Sequence, residues 1–383
     1  MTGVGEPVQR ERYPIATSIG LFAFATLVFT FAFTEFLYLQ RSSDLTVHLT
    51  YARQLQSFAD VTSPHFLFEM LVRAGSALGF RDRTAAVWVL GACYGGMAVL
   101  IGYEMHRRAI ALNPFQAVAI VMAVLLASHI FLFTIQSHLY NGYFVPTAYH
   151  NPTQQLNKLF ALWICFVYCR QFLAGRPASL WSVPLLAVLC ILSAVAKPSF
   201  LIAFLPTAAL YAAYDLLHRR WRQALLCLAG IGIPSALVLL WQTQLTADAG
   251  QALELGFQPF RVFNAGETLY KLPLSLAFPL VVAAGAWWTR TLDARLRFTW
   301  ALTAVALFVT LCLVEGGHRV DHGNFAWTGQ TAVFLLYVES LLFVLTRAQR
   351  TWARAGWMVF AVHVLCGLFW YGIVFRKDWE FWL

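Results

Sequence analysis

The segment PIATSIGLFAFATLVFTFAFTEFLY, residues 14–38, runs directly into LQRSSDLTVHLTYARQL, residues 39–55. The first stretch carries a single ionisable acid, Glu35, and no Lys or Arg. It is long enough to cross a bilayer as a helix, for which about 20 apolar residues suffice. The second stretch turns polar and places Asp44 and His48 four positions apart, on one face of a helix. An acid set where the chain leaves a bilayer is poorly explained by anchoring alone. The junction therefore predicts a membrane protein whose chemistry lies at a membrane surface.

The rest of the chain extends the first reading. Of 383 residues, 60% are hydrophobic and 12% charged, against about a quarter charged in soluble domains. Apolar runs predict eleven spans, at 14–38, 84–105, 114–136, 156–173, 180–196, 199–217, 223–242, 272–289, 298–314, 331–346 and 355–375. The expectation is an all-α polytopic helical bundle forming one domain over 1–383. With the N-terminus inside, the inner segments gather 15 of the 27 basic residues, all of them arginines, as positive-inside topology requires. The formal net charge of +9 then follows from topology and implies no nucleic-acid partner. All seven cysteines fall in apolar runs, so no disulfide framework is expected. The first apolar run is too long, and lacks a small-residue exit, for a cleavable signal peptide.

The longer, richer loops all lie on the outward side, at 39–83, 137–155, 243–271 and 315–330. In the first, Leu45, His48, Leu49, Ala52 and Leu55 share one helical face. Phe66, Leu67, Met70, Leu71 and Ala74 do the same after Pro64, and both segments are expected as helices lying in the interface. Asp44 is either the N-cap of the first helix or a general base whose pKa partial burial would raise. His48 either orients Asp44, contacts an anion, or wets its polar edge at the interface. Two such ligands make no metal site, and none is expected.

Lys197, in a Lys-Pro turn between two apolar runs, must snorkel or meet an anion. Arg261 and Lys271 follow the same logic. The loop EGGHRVDHGNFAWTGQ, residues 315–330, sets His318, Arg319 and His322 beside Asn324, a group able to hold a phosphate by charge-assisted hydrogen bonds. Tyr140, Tyr149, His150, Asn151 and Gln154, in 137–155, suit sugar stacking and hydroxyl recognition, although Asn151-Pro152 also reads as a helix start. Glu339 is an acid inside a span and needs a partner there.

Asp44 after the first span, the amphipathic first loop and the Lys197-Pro198 turn together resemble membrane glycosyltransferases of the GT-C superfamily. The nearest likeness is to bacterial mannosyltransferases that use polyprenyl-phosphate-linked sugar. The resemblance implies Asp44 as catalytic base, with His48 beside it. It implies Lys197, Arg261, Lys271, His318, Arg319 and His322 around the donor phosphate, and Tyr140, Tyr149, His150, Asn151, Gln154 and Asn324 around sugar and acceptor. The implied partners are a polyprenyl-phosphate sugar donor, a glycan or glycolipid acceptor and the lipid bilayer, with no cofactor. The implied location is the bacterial inner membrane with an extracytoplasmic, periplasmic site. One departure stands out: relatives often pair two acids in this loop, whereas here no second acid follows until Asp60. A polymerase or ligase of lipid-diphosphate glycans would share such a site. A transporter would show internal repeats and mid-depth polar groups, which this chain lacks.

Overall fold

The computed structural model of the chain describes residues 14–39, 43–57, 60–61, 63–132, 143–147, 149–174, 178–248 and 254–374. Tyr140 and the side chain of His318 lie outside these described residues. The elements, in order, are α1 (Ile15–Leu39), α2 (Asp44–Gln54), α3 (Leu67–Ala77), α4 (Asp82–Arg107), α5 (Pro114–Leu126), α6 (Pro152–Phe172), α7 (Ser182–Ala196), α8 (Ser199–Leu217), α9 (Trp221–Cys227), α10 (Ile233–Asp248), β1 (Leu255–Phe257), α11 (Ala265–Trp288), α12 (Ala294–Cys312), β2 (Leu313–Glu315), α13 (Ala326–Leu345) and α14 (Thr351–Val374). A short π-helical turn, Leu228–Gly232, joins α9 and α10 into one rod. The protein is a helical bundle, as its apolar runs require.

Among the described residues, eight helices are long and apolar enough to cross a membrane, not the eleven expected. The three remaining apolar runs differ for separate reasons. The run 114–136 is helical only over the 13 residues Pro114–Leu126, a rise of about 20 Å against a hydrocarbon core of about 30 Å. α7 has 15 residues. α6 has 21 but opens on the polar run Pro152-Thr-Gln-Gln-Leu-Asn-Lys158, which lowers its apolarity.

α1 and α4 lie against each other because α4 offers no side chain at Gly91 and Gly95. A Cβ at Gly91 would sit 2.0 Å from Thr30 Oγ1 and one at Gly95 would sit 2.3 Å from Thr26 Oγ1. Small residues spaced four apart permit this close approach of two apolar helices. α13 is buried along nearly its whole length and is the axis of the bundle.

Beyond Leu126 the chain leaves the helix and runs through the interior, with Ala127, Ser128 and His129 fully buried. Non-helical backbone inside an apolar bundle must find protein partners, and it does. Ser128 N donates to His363 O at 3.1 Å, Ile130 N donates to Leu274 O at 3.2 Å, and the His363 ring donates from Nδ1 to Ser128 O at 2.6 Å. α14 can come this close only because Gly367 has no side chain: a Cβ there would lie 1.9 Å from Leu126 O. Gly367→Ala should therefore destabilise the protein by roughly 1–3 kcal/mol through overpacking against backbone, read from its unfolding midpoint. An unchanged midpoint would mean that the two segments part freely.

Two of the longer loops are tied together. β1 pairs antiparallel with β2, Leu255 opposite Glu315 and Phe257 opposite Leu313. Arg261 adds an exposed ion pair to Asp321, Nε to Oδ1 at 3.2 Å. The loop after α10 and the loop before α13 thus form one unit.

Candidate functional site

The site assembles from three chain segments meeting at the N-terminus of α2. Ser43 is the cap residue of that helix, in extended backbone, with its N–H donating to Thr46 Oγ1 at 2.9 Å. This resolves the two readings of Asp44 in one respect. Asp44 is the first helical residue, and the cap position belongs to its neighbour. The Asp44 carboxylate instead accepts a hydrogen bond at Oδ2 from Asn151 Nδ2, 2.9 Å away.

Asn151 is the N-cap of α6, where its Oδ1 accepts from Gln154 N at 3.0 Å and Thr153 Oγ1 at 2.8 Å. The same oxygen lies 3.4 Å from Lys197 Nζ. Asn151 therefore bridges an anion and a cation from two other segments. Lys197 interrupts α7 and α8, and its ammonium sits 4.9 Å from the centre of the Trp327 ring, a cation–π contact. His150 packs on the same ring, at 5.2 Å.

Burial pushes the Lys197 amine down to about 8, while the charges of Asp44, Glu315 and Glu69 hold it up. Burial likewise pushes the His150 imidazole down to about 4, with Asp44 opposing and Lys197 and Lys158 assisting. At neutral pH His150 is an uncharged hydrogen-bonding group, and Lys197 is a cation poised to lose its proton.

Lys197 opens onto a cavity of about 480 Å³. Its polar side is made by Lys197, His65, Glu315, Arg319 and Asn324, and its apolar wall by Ile202 of α8, Leu239 of α10, Leu255 and Leu313. A second cavity, about 590 Å³, adjoins it across Pro64, His65, Thr246 and Arg319 and continues to Tyr51, Gln54, Asp60 and Glu69. His65 stands at the partition. Burial, then the charges of Lys197, His48 and Arg319, pushes its pKa well down, and its Nδ1 is buried without a hydrogen-bond partner. Gln242 of α10 fixes this wall by donating from Nε2 to Pro64 O at 2.5 Å and Ala194 O at 2.9 Å.

Several expected site residues are engaged elsewhere. His48 is paired through Nδ1 to Glu69 Oε1 of α3 at 2.5 Å, and both are buried. The face that α3 buries carries Phe68, Glu69 and Val72, whereas Met70 and Leu71 of the expected apolar face are exposed. Lys271 is buried in α11 against Glu267, one turn away, and over the Tyr143 ring. Arg261 and the exposed His322 line neither cavity.

Gln154 is fully occupied within the bundle: Oε1 accepts from Ser199 Oγ at 3.1 Å, and Nε2 donates to Trp327 O at 3.0 Å and to Thr331 Oγ1. Tyr149 is a core residue packed among Phe29, Phe33 and Tyr371. Asn324 does line the first cavity and donates to Glu315 Oε2 at 2.7 Å. Asp44, Asn151 and Lys197 are thus linked in a chain, with His150 and Lys197 both on Trp327. Lys197 alone of these lines the first cavity, where Arg319 and Asn324 stand with it. The side chains of Lys271, Arg261, His322, Gln154 and Tyr149 join neither group.

No family model, curated protein or solved structure matches this chain. Its function must be argued from the site. The residues that sequence reasoning missed are His65, Glu69 and Trp327. Glu69 had a signal: it is the one acid within the apolar stretch 66–72, and an acid so placed calls for a partner. Among the described residues, no three His, Cys, Asp or Glu side chains converge in a metal-holding group.

Proposed function

We propose that this chain is a membrane glycosyltransferase that moves a sugar from a polyprenyl-phosphate donor to a glycan or glycolipid acceptor, with inversion, at the outer face of a bacterial plasma membrane. The observation that carries the reading is the bridge Asp44–Asn151–Lys197. It holds the Asp44 carboxylate one amide away from Lys197. Lys197 in turn lines a cavity whose polar side carries two cations and one acid, Glu315, and whose opposite wall is apolar. The apolar wall suits the first isoprene units of a lipid. Lys197 and Arg319 suit its phosphate, since guanidinium and ammonium groups form strong hydrogen bonds to phosphate oxygens.

In this reading Asp44 accepts the proton of an acceptor hydroxyl as that oxygen attacks the anomeric carbon opposite the phosphate. The sugar–phosphate bond breaks, and the cations stabilise the charge that develops on the leaving oxygen, so no general acid is needed. His150 and Asn324 serve, in the same reading, as hydrogen-bonding partners of sugar hydroxyls.

Release of free polyprenyl phosphate by the purified protein in nanodiscs, given polyprenyl-phosphate sugars and an envelope extract, tests the reading. Release that depends on Asp44 supports it. Release from diphosphate-linked donors alone would replace it with a glycan polymerase or ligase. Donor binding also has an expected pH dependence. The ammonium of Lys197 is lost as pH rises through about 8, so affinity for the anionic donor should fall above that pH. Lys197→Arg, whose charge persists at all working pH values, should flatten the profile. A wild-type profile flat from neutral to strongly alkaline pH would remove Lys197 from the phosphate.

A further inference from the structure

The end of the bundle opposite Asp44 carries a second polar assembly. α4 spans the distance: Asp82, at its start, pairs with Arg53 of α2, and Arg107 closes it about 39 Å away at 1.5 Å per residue. There Arg108, Asp293, Arg295, Thr346 and Arg347 line an open basin of about 470 Å³.

Donors outnumber acceptors in this basin. Both oxygens of Glu339 are taken by Arg108, each at 2.7 Å. Glu104 Oε1 is shared by Arg108 Nε and Arg295. Asp293 Oδ1 caps α12 by accepting from Leu296 N at 2.9 Å. A guanidinium has five N–H donors, yet Arg295 uses one nitrogen, on Glu104, among the described residues. Arg347 hydrogen-bonds only neutral oxygens of its own helix end, from Nη1 to Thr346 Oγ1 at 2.7 Å and Phe343 O at 3.4 Å. It also stacks on the Phe343 ring and forms a loose ion pair from Nη2 to Asp293 Oδ2 at 3.8 Å. Behind them Arg107 Nη1 is buried without a hydrogen bond, in a 3.7 Å ion pair with Glu104 Oε2, which also lacks one. Arg295 and Arg347 are each about three-quarters buried, so water satisfies their free donors only in part.

We propose that this basin binds an anionic phosphate group on the membrane face opposite the Asp44 site, with Arg295 and Arg347 supplying the free donors and Arg108 the fixed wall. Arginine forks match phosphate oxygens in pairs, and basic pockets between helix ends are where lipid headgroups dock. The shared chemistry is that of anionic phosphate oxygens, from a lipid headgroup or from free phosphate. The proposal does not depend on the glycosyltransferase reading.

The test uses the full chain in phosphatidylcholine nanodiscs and reads the thermal unfolding midpoint. One arm replaces part of the lipid with phosphatidylglycerol, and a second titrates inorganic phosphate at ionic strength held constant with chloride. The midpoint should rise in at least one arm. Arg347→Gln should weaken the apparent affinity about tenfold, the loss expected for a charge-assisted hydrogen bond. Arg350→Gln, three residues on and exposed, should leave it unchanged. A rise with lipid alone assigns the headgroup as source, and a rise in both arms extends the site to free phosphate. If Arg347→Gln cannot be recovered folded, native mass spectrometry of the wild type decides, through retention of one phosphatidylglycerol in preference to phosphatidylcholine. No response in either arm, an equal response in Arg347→Gln and wild type, or no lipid preference would overturn the site.

Discussion

With Asp44 as the proposed base, Asp44→Asn should lower turnover by roughly 10²–10⁴-fold, the range expected for loss of a positioned general base, while leaving donor binding intact at pH values low enough to keep Lys197 charged. The geometry separates the two effects. The amide that replaces the carboxylate can still accept at its oxygen from Asn151 Nδ2, now 2.9 Å from Asp44 Oδ2, so the cap of α6 and the contact to Lys197 are kept. The proton acceptor is lost, because an amide oxygen is far too weak a base. A second readout follows from charge. Asp44 helps to hold the Lys197 amine up near 8 against burial, so removing its charge lets that value fall further. The alkaline loss of donor affinity should then begin at lower pH in Asp44→Asn than in wild type. A structural role for Asp44 would not move that profile without also loosening the fold. Turnover within a few-fold of wild type would end the assignment of Asp44 as base.

The neighbours of Asp44 show how far a sequence can be read. Asp44, Lys197 and Asn151 were each visible alone, because an acid, a cation and a cap stood at the ends of apolar runs where anchoring explained them poorly. Their meeting was not visible, since it joins positions 107 and 46 residues apart through a cap geometry that spacing does not encode. Lys271 misled for the opposite reason. Its partner Glu267 lies one helical turn upstream, a local pair legible in the spacing, and that pair accounts for the lysine within its own helix. The break after Leu126 had no sequence signal, because the apolar run 114–136 continues through it. What ends that helix is tertiary: Gly367 and His363 of α14, more than 200 residues later, give the extended chain both room and hydrogen bonds. Glu339 called for a partner on physical grounds, and only the fold could name Arg108.

That pair sets the second large effect. Arg108→Met should destabilise the protein by about 3–5 kcal/mol, the usual result of stripping one partner from a buried ion pair. The Arg108 and Glu339 side chains are 11% and 4% exposed, and the guanidinium makes two parallel bonds to the carboxylate, so Glu339 would lose both with little solvent to replace them. Glu104 would fare better, because Arg295 still contacts it. The double variant Arg108→Met, Glu339→Met should recover most of the loss, since an apolar pair of similar volume removes the stranded carboxyl group. Equilibrium unfolding of the single and double variants measures both. Equal losses in the two would show that packing, not charge, sustains the contact. The effect should also reach the opposite end of the molecule. α13 carries Glu339 and, about 18 Å away at 1.5 Å per residue, Trp327, on whose face Lys197 rests. Arg108 holds the axial helix at one end while the Lys197 contact uses the other. Loosening the clamp in Arg108→Met should therefore weaken donor affinity before any residue of the cavity has been changed, and the double variant should restore it.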